Sequence, residues 1–209
     1  MLSFLKNHPF AVEAFFESSI VLTFAVPKEQ LEKFIPGCLQ SDTLNNKFAF
    51  IAVAMVKTKS LRPKGFPAFM GNNFFLTGYR IFVTFTNNKG KRLRGLYILK
   101  SETNKKKMEY LGNIFTHYNY NTINICQNQK GNEKEITSNQ SGFFVKIKTG
   151  DNDISLPPQS PFTDWKEARK FAGPLPFTFT YNHTKKEVLI IEGVRQNWKP
   201  QPVKVLDFH

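Results

Sequence analysis

Lys100 closes an apolar run, Leu96-Tyr97-Ile98-Leu99-Lys100, and Glu102 follows two residues on. Strand alternation would set Leu96, Ile98, Lys100 and Glu102 on one face. A lysine drawn out of water holds its proton less tightly and can act as a nucleophile, whereas a nearby carboxylate keeps it charged. The alternative is a strand-end lysine in solvent with a modest ion pair. Arg80 lies between Tyr79 and Ile81 in a stretch with few charges. Its planar fork suits a carboxylate bound through two parallel hydrogen bonds. A structural pair with Glu102 on the neighbouring strand is the alternative. His117 begins His117-Tyr118-Asn119-Tyr120, and histidine is the usual acid or base near neutral pH. It can equally be a hydrogen-bonded histidine at a strand edge. Arg195 and Trp198 share the run Val194-Arg195-Gln196-Asn197-Trp198, which can wall a pocket and pair an anion, or form a stacked structural pair.

The catalytic candidates are therefore Lys100, Glu102 and His117. The ligand-binding candidates are Tyr79, Arg80, Tyr118, Asn119, Arg195 and Trp198. No metal site is expected, because His8, His183 and His209 fall in terminal or turn segments without a second ligand at suitable spacing. No motif calls for a cofactor. Cys38 and Cys126 lack metal-ligand spacing and read as reduced, inert thiols.

These residues need elements to position them. Phe15 to Val26 is rich in β-branched and aromatic residues and reads as a strand. Pro27 opens a short helix over Lys28–Ile35, which Pro36-Gly37 ends. Phe48 to Lys57 is almost wholly apolar and reads as a strand buried on both faces. Ser60 to Asn73, with Pro63, Gly65, Pro67 and Gly71, reads as a long loop. Tyr79–Thr86 and Arg94–Ser101 form a hairpin across Asn87-Asn88-Lys89-Gly90, residues that tolerate positive φ. Asn104 is placed to cap a helix running to Phe115. Thr122–Gln127 resembles a strand, Asn128–Ser141 a solvated loop or hairpin tip, and Gly142–Lys148 a further strand. Thr163 or Asp164 can cap a helix that stops at Gly173-Pro174. Phe177–Tyr181 and Glu187–Ile191 read as another hairpin. Strands outnumber helices and hairpins outnumber crossovers, which favours a mainly β, α+β domain spanning residues 1–209 with a curved, mainly antiparallel sheet.

Of 209 residues, 41% are hydrophobic and 22 are phenylalanine, enough to bury a core without disulfides. No apolar run approaches the ~20 residues of a membrane helix. The N-terminal segment is broken by Lys6, His8, Pro9, Glu13 and Glu17 and lacks a signal-peptide core, so a cytoplasmic protein with no membrane contact is expected. The net charge of +13 attracts anions: nucleic acid, acidic surfaces or anionic metabolites. The lysines are spread along the chain, and no RNA-recognition, zinc-finger or arginine-arm pattern accompanies them.

Six segments carry a resemblance: SLRPKGFP (60–67), FFLTGYRIF (74–82), RGLYILKSET (94–103), GNIFTHYNY (112–120), SPFTDWKEARKFAGPLPFTF (160–179) and VRQNWKPQPVKV (194–205). In this order they resemble the DUF2071 family, in its YqjF-like branch, whose fold is similar to acetoacetate decarboxylase. The resemblance implies a curved, barrel-like antiparallel sheet with short flanking helices and a pocket inside it, and no settled activity. Decarboxylases of this fold use a lysine that forms a Schiff base with a keto acid, its pKa lowered by a neighbouring cation. The resemblance places that lysine after the short helix, near Thr116–Asn119, and a glutamate near Leu76 or Gly78. This sequence holds neither residue type there. A small anionic, carboxylate-type ligand is the expected partner. If the protein is an enzyme, lyase-like chemistry on a small keto acid is expected, but not standard acetoacetate decarboxylation. The alternatives are a basic-surface module for nucleic acid or another acidic partner, and a non-catalytic scaffold with a filled pocket.

Overall fold

The structure is a computed structural model that describes residues 3–150, 154–196 and 199–209. Half of the architecture is a long curved meander. β1 (Val12–Pro27), β3 (Phe48–Pro63), β4 (Asn72–Thr86) and β5 (Arg92–Thr103) pair antiparallel in that spatial order, with β2 (Gln40–Ser41) beside β4. Two further segments lie parallel along the outer edge of β5: β6 (Tyr120–Thr122) against Ser101–Thr103, and β10 (Phe177–Asn182) against Gly95–Tyr97. β11 (Glu187–Glu192) closes that sheet as a hairpin with β10. A second sheet runs β12 (Lys204–Phe208), β9 (Phe143–Lys148), β8 (Glu133–Ser138) and β7 (Cys126–Lys130). The helices are α1 (Lys28–Glu32), α2 (Lys106–Phe115) and α3 (Trp165–Ala172). This is the mainly β, α+β architecture expected. Among the described residues no strand pairing joins the two sheets, so the barrel-like closure is replaced by two packed sheets.

Local chemistry accounts for most boundaries. At the β4–β5 turn the Asn87 Oδ1 accepts from the N–H groups of Lys89 and Lys91, and Gly90 takes φ +73°. α3 starts where Asp164 Oδ1 accepts from the Glu167 N–H at 2.7 Å, so Asp164 rather than Thr163 is its cap. Asn104 does not cap α2. Its Oδ1 accepts from the Phe75 N–H at 2.8 Å, tying the end of β5 to β4, and Lys105 takes the cap position. The loop expected over Ser60–Asn73 is shorter, because β3 continues to Pro63 past an irregularity at Lys59–Ser60, where Ser60 takes φ +53°. Thr122–Gln127 is divided between the end of β6 and the start of β7.

The core divides by the face of β4. Odd-numbered side chains point to one face. Phe75 packs there with Ile136, Val145 and Ile147 of the second sheet, and Ile81 and Val83 with Leu31, Leu39 and Phe179 beneath α1. Even-numbered side chains point to the other. Phe74 and Leu76 pack with Met108 of α2, and Phe82 with Leu96, Leu175 and Phe171 near α3. Each face thus has two apolar clusters with a gap in the apolar packing between them. Tyr79 stands in the gap of the odd face, Arg80 in that of the even face.

Candidate functional site

The two gaps are shaped by one irregularity. Tyr79 pairs with Lys100, but Arg80 pairs with Ile98, leaving Leu99 as an extra residue in β5. Such a bulge reverses side-chain phase along a strand and commonly adjoins functional sites. Leu96 and Ile98 are consequently paired with Phe82 and Arg80 on the even face, whereas Lys100 and Glu102 are paired with Tyr79 and Thr77 on the odd face. The expectation that Leu96, Ile98, Lys100 and Glu102 share one face is corrected by this extra residue.

On the odd face three candidates meet. Lys100 Nζ lies 2.7 Å from Glu102 Oε1 and 4.4 Å above the centre of the Tyr79 ring. The Tyr79 hydroxyl donates to Glu102 Oε2 at 2.8 Å. Burial, and then the Glu102 carboxylate, push the Tyr79 pKa above its ordinary value, so the phenol stays a donor. The Ser141 hydroxyl approaches Tyr79 but completes no hydrogen bond. Glu102 is buried, while half of the Lys100 side chain is in solvent. This cluster satisfies itself.

The even face holds a different arrangement. Arg80 lies over Gly78, whose missing side chain makes room for it: a Cβ there would stand 3.2 Å from the Arg80 Nε. That Nε is sealed from solvent and has no hydrogen-bond partner. Tyr118 and Tyr120 lie beside it, and Arg195 is close enough for its charge to act on Arg80. Burial lowers the Arg80 pKa, the two tyrosines oppose that shift, and Arg195 adds to it. An arginine keeps its charge regardless. Burial pushes the Tyr118 hydroxyl up to about 12 and raises that of Tyr120 further, so both remain protonated donors. Tyr120 is fixed by the Asn113 amide, which accepts from its N–H at 2.9 Å and donates to its carbonyl at 2.8 Å. Asn119, at φ +52°, donates from Nδ2 to the Leu99 carbonyl at 3.3 Å, at the break between β6 and β10 along the edge of β5.

The predicted residues are thus not gathered around one cavity. Tyr79, Lys100 and Glu102 occupy the odd face; Arg80 and Tyr118 occupy the even face, with Arg195 at its border. An Arg80–Glu102 pair is ruled out by the same alternation. His117 turns to the N-terminal turn, its Nε2 lying 3.4 Å from Asn7 Oδ1. Trp198 lies outside the described residues. Two hollows of about 440 and 180 Å³ lie elsewhere, beside α1 and between the two sheets. Sequence reasoning missed Tyr120 as a wall of the even-face gap, and it missed His8. His8 sits at φ +52°, unusual for a residue with a side chain, and its ring packs 5.1 Å from that of Tyr118. Its N–H donates to the Phe115 carbonyl at 3.2 Å, and its Nε2 is sealed without a partner.

Acid should loosen this N-terminal contact. Burial, and then His117, lower the His8 pKa; burial, and then Lys6, lower that of His117. The undocked segment therefore binds protons more readily than the docked one. Docking is complete above the ordinary imidazole value of about 6.5 and weakens as pH falls below it. An NMR titration should show both imidazoles titrating below that value, with hydrogen-exchange protection of the His8 N–H falling over the same range. Titration of both above it would remove the expectation.

The fold is the acetoacetate decarboxylase-like one. The chain superposes on acetoacetate decarboxylase from Legionella pneumophila subsp. pneumophila str. Philadelphia 1 with a TM-score of 0.56 at 8% identity, over 85% of this chain and 63% of that one. It superposes on an acetoacetate decarboxylase-like enzyme from Sphingomonas wittichii RW1 at 0.51 and 11% identity, over 97% and 88% of the two chains. The enduracididine biosynthesis enzyme MppR, complexed with the condensation product of pyruvate and imidazole 4-carboxaldehyde, gives 0.53 at 9% identity, over 89% and 70%. Identities this low define the fold alone, and the chain spans under two thirds of the Legionella enzyme. No curated protein sequence matches it. The chain belongs to the DUF2071 family, described as an uncharacterised conserved protein, whose profile matches residues 14–209. No described helix is long and apolar enough to cross a membrane.

Proposed function

We propose that the protein binds a small carboxylate, or a related oxyanion, in the even-face gap at Arg80. One observation carries this: a guanidinium with a sealed, unpartnered Nε, flanked by two phenols and no acidic side chain among the described residues. A sealed guanidinium N–H left without a partner is costly, and a planar carboxylate is the partner its fork fits best. The gap also coincides with the positions at which the decarboxylase resemblance expects its glutamate and lysine, Leu76 or Gly78 and Thr116–Asn119. Here Gly78 makes room for an arginine, and Tyr118 belongs to the segment in which the resemblance expects a lysine. With the expected glutamate and lysine both missing, Arg80 is the charge in the gap that would hold an anion.

No reaction is assigned. A Schiff-base mechanism needs a free amine in the gap, and Lys100 lies on the other face with its Nζ donating to Glu102 at 2.7 Å. The net charge of +13 invites a nucleic-acid reading, but specific observations favour it less. On the second sheet the signs are interleaved, with Lys146 bound to Glu133 at 2.9 Å.

Calorimetric titration with acetate, pyruvate and longer carboxylates tests the proposal. Saturable binding is expected for the wild-type chain, weakened ~10- to 100-fold in Arg80→Gln, the worth of a charge-assisted hydrogen bond. Gly78→Ala should weaken it by a smaller, severalfold amount, because the added Cβ pushes the guanidinium from its seat without removing it. Binding that Arg80→Gln leaves intact would overturn the assignment.

A further inference from the structure

We propose that the rim formed by the start of β1 and the segment after β3 is the surface through which two copies of this chain pair. β1 is the outermost strand of the first sheet, and its outer edge meets no other strand among the described residues. Phe10, Phe15 and Phe16 stand on this rim, with Phe66, Phe69 and Met70 from the segment after β3. The two parts are tied together. The Lys64 N–H donates to the Ala11 carbonyl at 2.9 Å, Arg62 Nε donates to the Phe66 carbonyl at 2.8 Å, and Val12 pairs with Pro63. The five rings are 40–87% exposed. At ~200 Å² for each phenylalanine they present about 600 Å² of apolar surface. A standard interface takes about 800 Å² from each partner, somewhat over half of it apolar. The rim supplies that apolar share unaided.

Charge selects the occupant. Arg62 holds Glu13 at 2.7 Å, and Lys57 and Lys59 hold Glu17 at 3.1 and 2.9 Å. Along Lys57–Lys64 only the Lys64 ammonium is left without a carboxylate. A nucleic acid or an acidic membrane seeks free cations, which this rim has largely spent. Two chains of net charge +13 repel one another, and they can close where their cations are already answered within each chain. The strand also decides how they meet. β1 departs from regular register between Glu13 and Phe15 and again between Phe16 and Ser18, and such bulges discourage another strand from extending the sheet. Phe15 pairs with Lys59 and Phe16 with Thr58, so the adjacent rings leave opposite faces of the strand. The copies therefore pack ring against ring, rim to rim, about a twofold axis that places the same residues on both sides.

Analytical ultracentrifugation of the full chain over a concentration series tests this. At tens of micromolar the mass should be twice that of the 24.1 kDa chain. Phe69→Ser should weaken the dimer about tenfold, and Phe15→Ser with Phe69→Ser about 100-fold or more, as for aromatic anchors at an interface centre. Phe69 is 87% exposed, so its loss should leave the melting temperature of the dilute monomer unchanged and separates association from folding. Phe34→Ser, which removes an exposed ring of the segment after α1, should leave the dimer intact. Added salt should strengthen association by screening the repulsion between two basic chains. A chain that stays monomeric through this range would overturn the inference, whether or not some other protein or a membrane then binds the rim. A dimer indifferent to Phe15→Ser with Phe69→Ser, disrupted equally by Phe34→Ser, or dissolved by salt would overturn it as well.

Discussion

Arg80→Met is expected to make the protein more stable while removing its carboxylate binding. The two effects share a cause. With no anion bound, the Arg80 Nε has neither solvent nor a partner, and an unsatisfied buried donor costs about 1–3 kcal/mol. Methionine follows a similar path over Gly78, keeps the apolar contacts and carries no charge. Arg80 retains some exposure beyond its Nε, so the lower part of that range applies. A gain of about 1–2 kcal/mol is expected, which for a chain of this size raises the melting temperature by about 3–6 °C. A residue whose removal stabilises the fold is the signature of a site kept for function at the expense of stability. Differential scanning calorimetry without ligand, paired with the titrations above, decides the matter. A loss of 1 kcal/mol or more would mean that the guanidinium holds the fold together, and the binding proposal would fall with it.

The split between Tyr79 and Arg80 shows how far the sequence could be read. Strand β4 and its hairpin were legible because their signals are local: apolar alternation, then Asn87 to Gly90 with side-chain and φ requirements met inside four residues. The same holds for α3, where Asp164 and Gly173 mark both ends. The family and its fold were legible because the motifs run through most of the chain. The assembly of the site was not. Alternation along β5 gives the right face for Lys100 and Glu102 relative to each other, but one extra residue at Leu99 moves them away from Leu96 and Ile98. Nothing local marks that bulge, since Leu99 is an ordinary strand residue. Adjacent candidates such as Tyr79 and Arg80 necessarily diverge in a strand, a constraint that proximity in sequence conceals. His8 was obscured for another reason. Its place beside Tyr118 depends on the N-terminal turn docking against α2, a contact across about 110 residues.

Gly112→Ala should destabilise the fold and spoil the even-face gap together, although alanine is the better helix former. Gly112 lies inside α2, where the substitution alone would gain about 1 kcal/mol. Against this, a Cβ at Gly112 would stand 2.2 Å from Cδ2 and 2.5 Å from Cε2 of the Tyr120 ring. The ring cannot slide away with its backbone, because the Asn113 amide holds both the N–H and the carbonyl of Tyr120. Either the ring turns out of the cluster it forms with Phe74 and Met108, or α2 lifts from β6. Overpacking of this kind costs about 1–3 kcal/mol, and with both groups held the upper end applies. The net expectation is a loss of about 2 kcal/mol, read from the denaturant midpoint at unchanged slope. Carboxylate binding should weaken as well, because Tyr120 leaves the side of Arg80. A double-mutant cycle separates the causes. In a Tyr120→Ala background the clash is gone, so Gly112→Ala should become neutral or stabilising by the helix term. Should it cost the same about 2 kcal/mol there, the contact between glycine and ring would not be what fixes α2 against the strand.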